Sequence, residues 1–189
     1  TLWEMAEHCT ARVWIIGSSY IHRLHAYICE RGLGRNLGLP CRITWDGRGG
    51  RRWEHLIPVL RSLRARSVAP DLLVIHLGGN SLCSEGRNRV DLLQLMMADM
   101  AEIFWMFPHT KILFSDILPR QNWRGQQARS SYGIEKSRRW LNSAIGMSCI
   151  YHRNIGLAHL IEDGVHLNSE GNELLLENFR EALRSELQK

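Results

Sequence analysis

The chain is poor in the features that announce several common protein classes. Its five cysteines (Cys9, Cys29, Cys41, Cys83 and Cys149) are odd in number and scattered through 189 residues, with no CxxC pair. That spacing excludes a zinc ribbon and a dense disulfide framework, and it points to a reducing compartment. Cys29 and Cys41 sit among apolar residues and are expected to be buried thiols. No apolar run approaches the roughly 18 residues that a membrane helix needs, so no transmembrane segment is expected. Thr1-Leu2-Trp3-Glu4 has neither a basic start nor an apolar stretch behind it, so no signal peptide is visible, and an intracellular protein, cytoplasmic or nuclear, is expected. The first residue is not Met, which fits a mature form or a domain of a longer protein. Internal repeats and low-complexity stretches are absent. No basic run exceeds two residues, although the formal net charge is +5. Arginines gather at Arg48, Arg51 and Arg52, at Arg61, Arg64 and Arg66, and at Arg138 and Arg139. Nucleic acid or an anionic membrane surface is therefore a candidate partner, against the plainer reading of a solvated basic surface.

What is present is an alternation of short apolar runs and helical stripes. A length of 189 residues fits one domain with a substantial core, and 1–11 read as an N-terminal lead-in. Arg12–Ile16 reads as a strand, and Ile21, Leu24, Tyr27 and Ile28 then give one face of a helix from Tyr20 to Arg31. Gly32, Gly34, Gly38 and Pro40 break it. Cys41–Trp45 reads as a second strand, followed by a helix over Trp53–Leu63. Leu72–Leu77 is continuously apolar apart from His76, as expected of a parallel strand covered on both faces. Val90–Met106 reads as a helix whose Met96, Met97 and Met100 fill gaps in the core. Lys111–Phe114 is a fourth strand, 121–131 a loop, Gly133–Met147 a helix and Ile155–Leu160 a weak fifth strand. The last helix starts with Asn168 or Ser169 as its cap. This alternation predicts an α/β fold with a parallel sheet and helices on both faces.

In such a sheet the residues that follow each strand lie along one edge, and that edge is where ligands bind. Ile16-Gly17-Ser18-Ser19 ends the first strand, Asp46-Gly47-Arg48-Gly49-Gly50 the second, Gly78-Gly79-Asn80 the third and Asp163-Gly164-Val165-His166 the fifth. Topology alone collects them. Their chemistry fits acyl transfer. Ser19 would be a nucleophile once a base takes its proton. His166 suits that task, since histidine titrates near neutral pH. Asp163 lies three residues upstream, where it can hold the imidazole in the right tautomer. Backbone N–H groups of Ser19 and Gly47 and the side-chain amide of Asn80 would meet the developing oxyanion, with Gly49 or Gly50 as alternatives to Gly47. Ser18 is a lesser candidate for the nucleophile. His76 reads as a satisfied core histidine. His152 and His159 lack partners at metal-ligand spacing, so no metal and no cofactor are expected. Ser18, Arg120 and Trp123 are candidates for lining the substrate site, and Tyr132 sits in the same neighbourhood.

These four blocks in this order resemble those of the SGNH (GDSL-type) hydrolases. Gly17-Ser18-Ser19 stands for the GDS block, Gly47 for the glycine block, Gly78-Gly79-Asn80 for the asparagine block and Asp163–His166 for DxxH. The resemblance runs from about Val13 to Phe179. It implies a three-layer, flavodoxin-like fold with five parallel strands in the order 2-1-3-4-5. It also implies serine esterase or lipase-type hydrolysis of small-molecule or lipid esters without a metal. Within it Ser19 is the nucleophile, Asp163 and His166 complete the triad, and Gly47 and Asn80 donate to the oxyanion. The chain also resembles, more distantly, SGNH domains carried in vertebrate mobile-element proteins. Three features depart from the pattern: Ser18 replaces the usual Asp, Ser81 replaces an Asp that often follows the asparagine block, and the glycine block reads Gly47-Arg48-Gly49-Gly50, which makes Gly49 or Gly50 an alternative donor to Gly47. A catalytically idle module that binds nucleic acid or anionic lipid through its arginines is the alternative function.

Overall fold

A computed structural model of the chain describes residues 10–84, 88–123, 131–145 and 149–189. The lead-in at 1–9, Cys9 included, and the loop residues 124–130 lie outside the described residues. The sheet is built from β1 (Ala11–Gly17), β2 (Cys41–Gly47), β3 (Leu72–His76), β4 (Lys111–Ser115) and β5 (Cys149–Ile150). All pairings are parallel and the strand order is β2-β1-β3-β4-β5.

Side chains alternate across a strand, so a strand covered on both faces must be apolar at every position. Val13 and Ile15 of β1, Leu72 and Val74 of β3 and Leu113 of β4 share one core with Ile21, Leu24 and Ile28 of α1 (Ser19–Glu30) and Leu175, Leu176, Phe179 and Leu183 of α6 (Ser169–Leu187). Trp14, Ile16, Leu73, Ile75, Ile112 and Phe114 face the other way. They pack against Leu56, Leu60 and Leu63 of α2 (Leu56–Arg66), against Leu92, Met96, Met100 and Ile103 of α4 (Arg89–Met106), and against Ile134 and Leu141 of α5 (Ser131–Ala144). A short helix, α3 (Gly79–Leu82), follows β3. Asn168 caps α6, its side chain accepting from the Gly171 N–H at 2.8 Å.

Three expectations need correction. The fifth strand is Cys149–Ile150, and the stretch expected to be a strand, Ile155–Leu160, is a loop with one 3-10 turn at Leu157–His159. Its apolar residues anchor that loop instead, with Ile155 buried and Leu160 packed against the α1/α6 core. A two-residue strand is too short to leave a periodic signature. Cys29 is exposed while Cys41 is buried, because Cys29 falls on the outer face of α1. Met97 is half exposed while Met96 and Met100 are buried, so only two of the three methionines fill the core. No helix among the described residues is long and apolar enough to cross a membrane.

The entry into α1 is tightly packed. A Cβ on Gly17 would lie 2.1 Å from Ile21 Cγ1, and one on Gly47 would lie 2.2 Å from the backbone nitrogen of His22. The ends of β1 and β2 therefore touch the first turn of α1 with only hydrogen atoms between them. A methyl group at Gly47 meets backbone, which cannot rotate away. Gly47→Ala is expected to lower stability by about 1–3 kcal/mol in urea unfolding. Gly49→Ala is the control: nothing lies within 4 Å of the added carbon, and a change within about 0.5 kcal/mol is expected.

Candidate active site

Ser18 has extended backbone angles and stands just before α1, so the chain turns from strand to helix within one residue. Ser19 is the first helical residue. Its backbone N–H belongs to the first turn, where helical amides have no intrahelical acceptor. The Ser19 Oγ lies 3.1 Å from His166 Nε2, and His166 Nδ1 lies 2.6 Å from Asp163 Oδ2. With a carboxylate at Nδ1, that nitrogen carries the proton. Nε2 then accepts from the serine hydroxyl.

Asp163 does two jobs with its two oxygens. Oδ1 accepts from the backbone N–H groups of Val165 at 2.8 Å and His166 at 2.9 Å, closing an Asx-type turn, while Oδ2 faces the imidazole. One carboxylate thus closes the turn and faces the imidazole at the same time. Partial burial opposes ionisation of this carboxyl. The bonds from the His166 backbone and ring and from the Val165 N–H outweigh it, and hold the group well below the usual carboxylate range. The loop is tied down on both sides. Gly164, at φ 67°, offers its carbonyl to the N–H groups of Gln121 (2.9 Å) and Asn122 (3.0 Å). Asn122 Nδ2 donates to the Asp163 carbonyl at 2.8 Å, and the buried Tyr20 hydroxyl donates to the Val165 carbonyl.

Asn80 enters from the other side, in the first turn of α3. Gly78, at φ 118°, makes the bend that a residue with a side chain would resist. The Asn80 Oδ1 accepts from Arg120 Nη1 at 3.2 Å, and Nδ2 donates to the Arg51 carbonyl at 3.0 Å. An amide nitrogen carries two hydrogens. One is thereby spent and the other is left for a ligand. Arg51, part of a sequence cluster that suggested a basic surface, is buried instead: it donates to the Asp46 carboxylate (2.6 Å), the Asp46 carbonyl (2.6 Å) and the Gly17 carbonyl (3.2 Å). Arg138 is likewise held by Glu135 and the Ile117 carbonyl. Ser81, at the position where an Asp is common, accepts from the Trp53 N–H at 2.8 Å and donates to Glu54 at 3.1 Å. The loop after β2 is clasped to the loop after β3 by these bonds.

Ser19, His166 and Asn80 open onto one cavity of about 850 Å³, with Gly49, Gly50, His22, Arg23, Arg52 and Arg120 also in its wall. Gly47 is engaged in the β1–β2 ladder opposite Gly17, and the glycines in the wall are Gly49 and Gly50. Of the three candidates for substrate lining, Arg120 reaches the wall. Ser18 and Trp123 are buried beside it, the Trp123 ring 5.2 Å from the Arg120 guanidinium carbon. Arg52 and Val165, from the arginine cluster and the Asp163–His166 block, complete the wall with His22, Arg23, Cys83 and Ser84, which carry no local sequence signal. Their places follow from which face of α1 and which turn of each loop meet the cleft.

Beneath the site runs a buried polar chain. Asn178 Nδ2 donates to His152 Nδ1 at 3.0 Å, so the proton of His152 is on Nε2 and goes to Ser115 Oγ at 2.7 Å. The Ser115 hydroxyl in turn donates to His76 Nδ1 at 2.7 Å. Burial keeps both rings neutral, pulling His152 down to about 3 and His76 well below its usual value. The His76 ring sits edge-on to Tyr20 at 5.6 Å. His76 is accordingly a core residue with its partners in place. Among the described residues, no group of three or more His, Cys, Asp or Glu side chains is placed to hold a metal ion.

No family model matches the chain, and no curated protein sequence matches it significantly. Solved structures do. A candidate acylhydrolase of Bacteroides fragilis superposes with a TM-score of 0.73 at 17% identity, over 96% of this chain and 90% of that one. A GDSL-like lipase of Bacteroides thetaiotaomicron gives 0.67 at 18% identity, over 93% and 89%. A carbohydrate esterase family 3 protein of Talaromyces cellulolyticus gives 0.67 at 16%, over 94% and 98%. The chain therefore has the α/β fold of the GDSL-type (SGNH) hydrolases.

The Asp163 bonds carry a pH signature. A carboxyl held below its unfolded value, about 3.9, stabilises the fold above that pH and loses the contribution as pH falls towards the folded value. Asp163→Asn is expected to be less stable than wild type at pH 6. The difference should shrink steadily between about pH 4 and pH 2, where the unfolded carboxyl takes up its proton. A difference in urea midpoint that stays constant over that range contradicts the assignment.

Proposed function

We propose that the protein is a serine esterase that hydrolyses carboxylic esters through an acyl-enzyme. The observation that carries this reading is the unbroken chain Asp163–His166–Ser19 ending on a cavity. In the first half-reaction Ser19 Oγ attacks the ester carbonyl while its proton passes to His166 Nε2. Asp163 keeps the imidazolium oriented and stabilises its charge. The tetrahedral oxyanion is met by the Ser19 backbone N–H and the unspent Asn80 N–H. A third N–H comes from the Gly49–Gly50 stretch, which lies in the wall where Gly47 does not. His166 then gives its proton to the departing alcohol. In the second half-reaction His166 takes a proton from water. The hydroxide formed attacks the acyl-enzyme, and the carboxylic acid leaves as Ser19 regains its hydrogen. The usual Asp at position 18 is not needed for this relay: Ser18 is buried, and Ser19, His166 and Asp163 meet one another without it.

Fold relatives that are described as lipases and esterases support the same chemistry. Two outcomes test it. Ser19→Ala should lower the rate on p-nitrophenyl acetate by at least about 10³-fold, and equal turnover by wild type and variant would sink the proposal. Asn80→Ala should lower kcat by about 10²–10³-fold with a much smaller change in KM, as expected for a donor that acts on the transition state. A change confined to KM would remove Asn80 from the oxyanion site.

A further inference from the structure

Arg120 is only 7% exposed, yet among the described residues no carboxylate pairs with it. Its contacts are all neutral. Nη1 donates to the Asn80 Oδ1, the guanidinium carbon lies 5.4 Å from the Tyr20 ring and 5.2 Å from the Trp123 ring, and Nε is buried with no acceptor. The fold makes room for it: a Cβ on Gly79 would lie 2.8 Å from Nη2. Burying a charged group without a counter-ion costs free energy, and cation–π contacts offset only part of it. A cation kept in that state at the wall of a reaction cavity is a site missing its anion.

The rest of the wall has the same sign. Arg23 and Arg52 are exposed at the rim, neither is within salt-bridge distance of a carboxylate among the described residues, and His22 lines the same cavity. No Asp or Glu lines this cavity among the described residues. Several arginines elsewhere in the chain are paired. Arg12, Arg51, Arg61, Arg138 and Arg180 each have a carboxylate within 3.2 Å. Guanidinium groups suit carboxylate and phosphate oxygens, to which they can donate paired hydrogen bonds.

We infer that the esterase site takes esters carrying an anionic group, a carboxylate or phosphate, seated on Arg120 and drawn in by Arg23 and Arg52. This inference rests on the esterase reading for its chemistry. The anion site itself is independent of turnover. Positive walls in a cleft also raise the capture rate of anionic substrates, an effect that salt removes.

Two matched pairs of substrates test it. One pair is p-nitrophenyl butyrate and mono-p-nitrophenyl succinate, which differ by a carboxylate on the acyl chain. The other is dihexanoyl phosphatidylcholine and dihexanoyl phosphatidic acid, used as monomers, which differ in the charge beside the phosphate. In at least one pair the anionic member should have a kcat/KM higher by about tenfold or more, within the range of one charge-assisted bond at a buried site. The pair that responds identifies carboxylate or phosphate as the group recognised. The preference should weaken in about 1 M NaCl, where the Debye length falls to about 3 Å. Arg23→Gln with Arg52→Gln should reduce the anionic-to-neutral ratio several-fold. Arg120→Gln should reduce it further, with Arg120→Lys in between. Equal ratios in both pairs, with turnover still abolished by Ser19→Ala, overturn the inference and leave the esterase reading standing. If no ester is turned over, the esterase reading fails, and the anion site is decided by calorimetric titration of the Ser19→Ala protein. Monomethyl succinate binding more tightly than methyl butyrate upholds the site; equal or no binding overturns it.

Discussion

The site depends on how closely α1 meets the ends of β1 and β2. Gly17 and Gly47 bring strand backbone against the first turn of the helix, with no room for a methyl group at either position. This contact puts Ser19 at the carboxyl end of β1. It also decides where the loop after β2 must start. Arg48 donates its N–H to the Gly17 carbonyl at 3.1 Å, and Arg51 bonds to the same oxygen from its side chain. A looser junction would move the hydroxyl and the glycine loop together, and Ångström-scale shifts in such groups are costly to catalysis.

The other parts of the site are held by hydrogen bonds among loops, with little apolar packing of their own. Asn80 is oriented by one arginine on each side, through Arg51's carbonyl and Arg120's guanidinium. The Asp163–His166 turn is oriented by its own backbone, by Gln121 and Asn122, and by the Tyr20 hydroxyl. Tyr20 in turn leans on His76, the end of the buried chain that starts at Asn178. Partly satisfied buried networks are unstable, and fully satisfied ones rigidify what they touch. This one joins the centre of the sheet to Tyr20, the residue next to Ser19.

Charge is used in two ways in the same molecule. Arg51, Arg138 and Arg12 are paired with carboxylates and act as fasteners. Arg120, Arg23 and Arg52 lack such partners among the described residues, and all three border the cavity. Composition alone makes the chain mildly basic without distinguishing these groups. The distinction matters because a guanidinium paired with a carboxylate has its charge offset, while an unpaired buried one keeps its charge uncompensated.

The layer architecture and the four motif segments were legible in the chain. A short continuous apolar run such as Leu72–Ile75, bounded by turn residues and alternating with helical stripes, suits a strand covered on both faces, and a glycine or serine after such a strand falls on the carboxyl edge. Parallel topology then gathers Ser19 and Asn80 without any knowledge of side-chain geometry, whereas Asp163 and His166 do not directly follow β5 and reach the same edge through the loop and 3-10 turn beyond it. Local pattern was weakest where elements were short or loops did the work. The two-residue β5 has no periodicity, and the apolar residues of Ile155–Leu160 imitate a strand while anchoring a loop. Which glycine faces the cavity, which arginines are fastened and which are free, and the polar chain through Ser115 were decided only in three dimensions. Each depends on partners far apart in sequence: 29 residues separate Asn80 from Arg51, 40 separate it from Arg120, and 147 separate Ser19 from His166. A hydrogen bond of that kind leaves no trace in the local pattern, because neither residue has a propensity or spacing that anticipates the other.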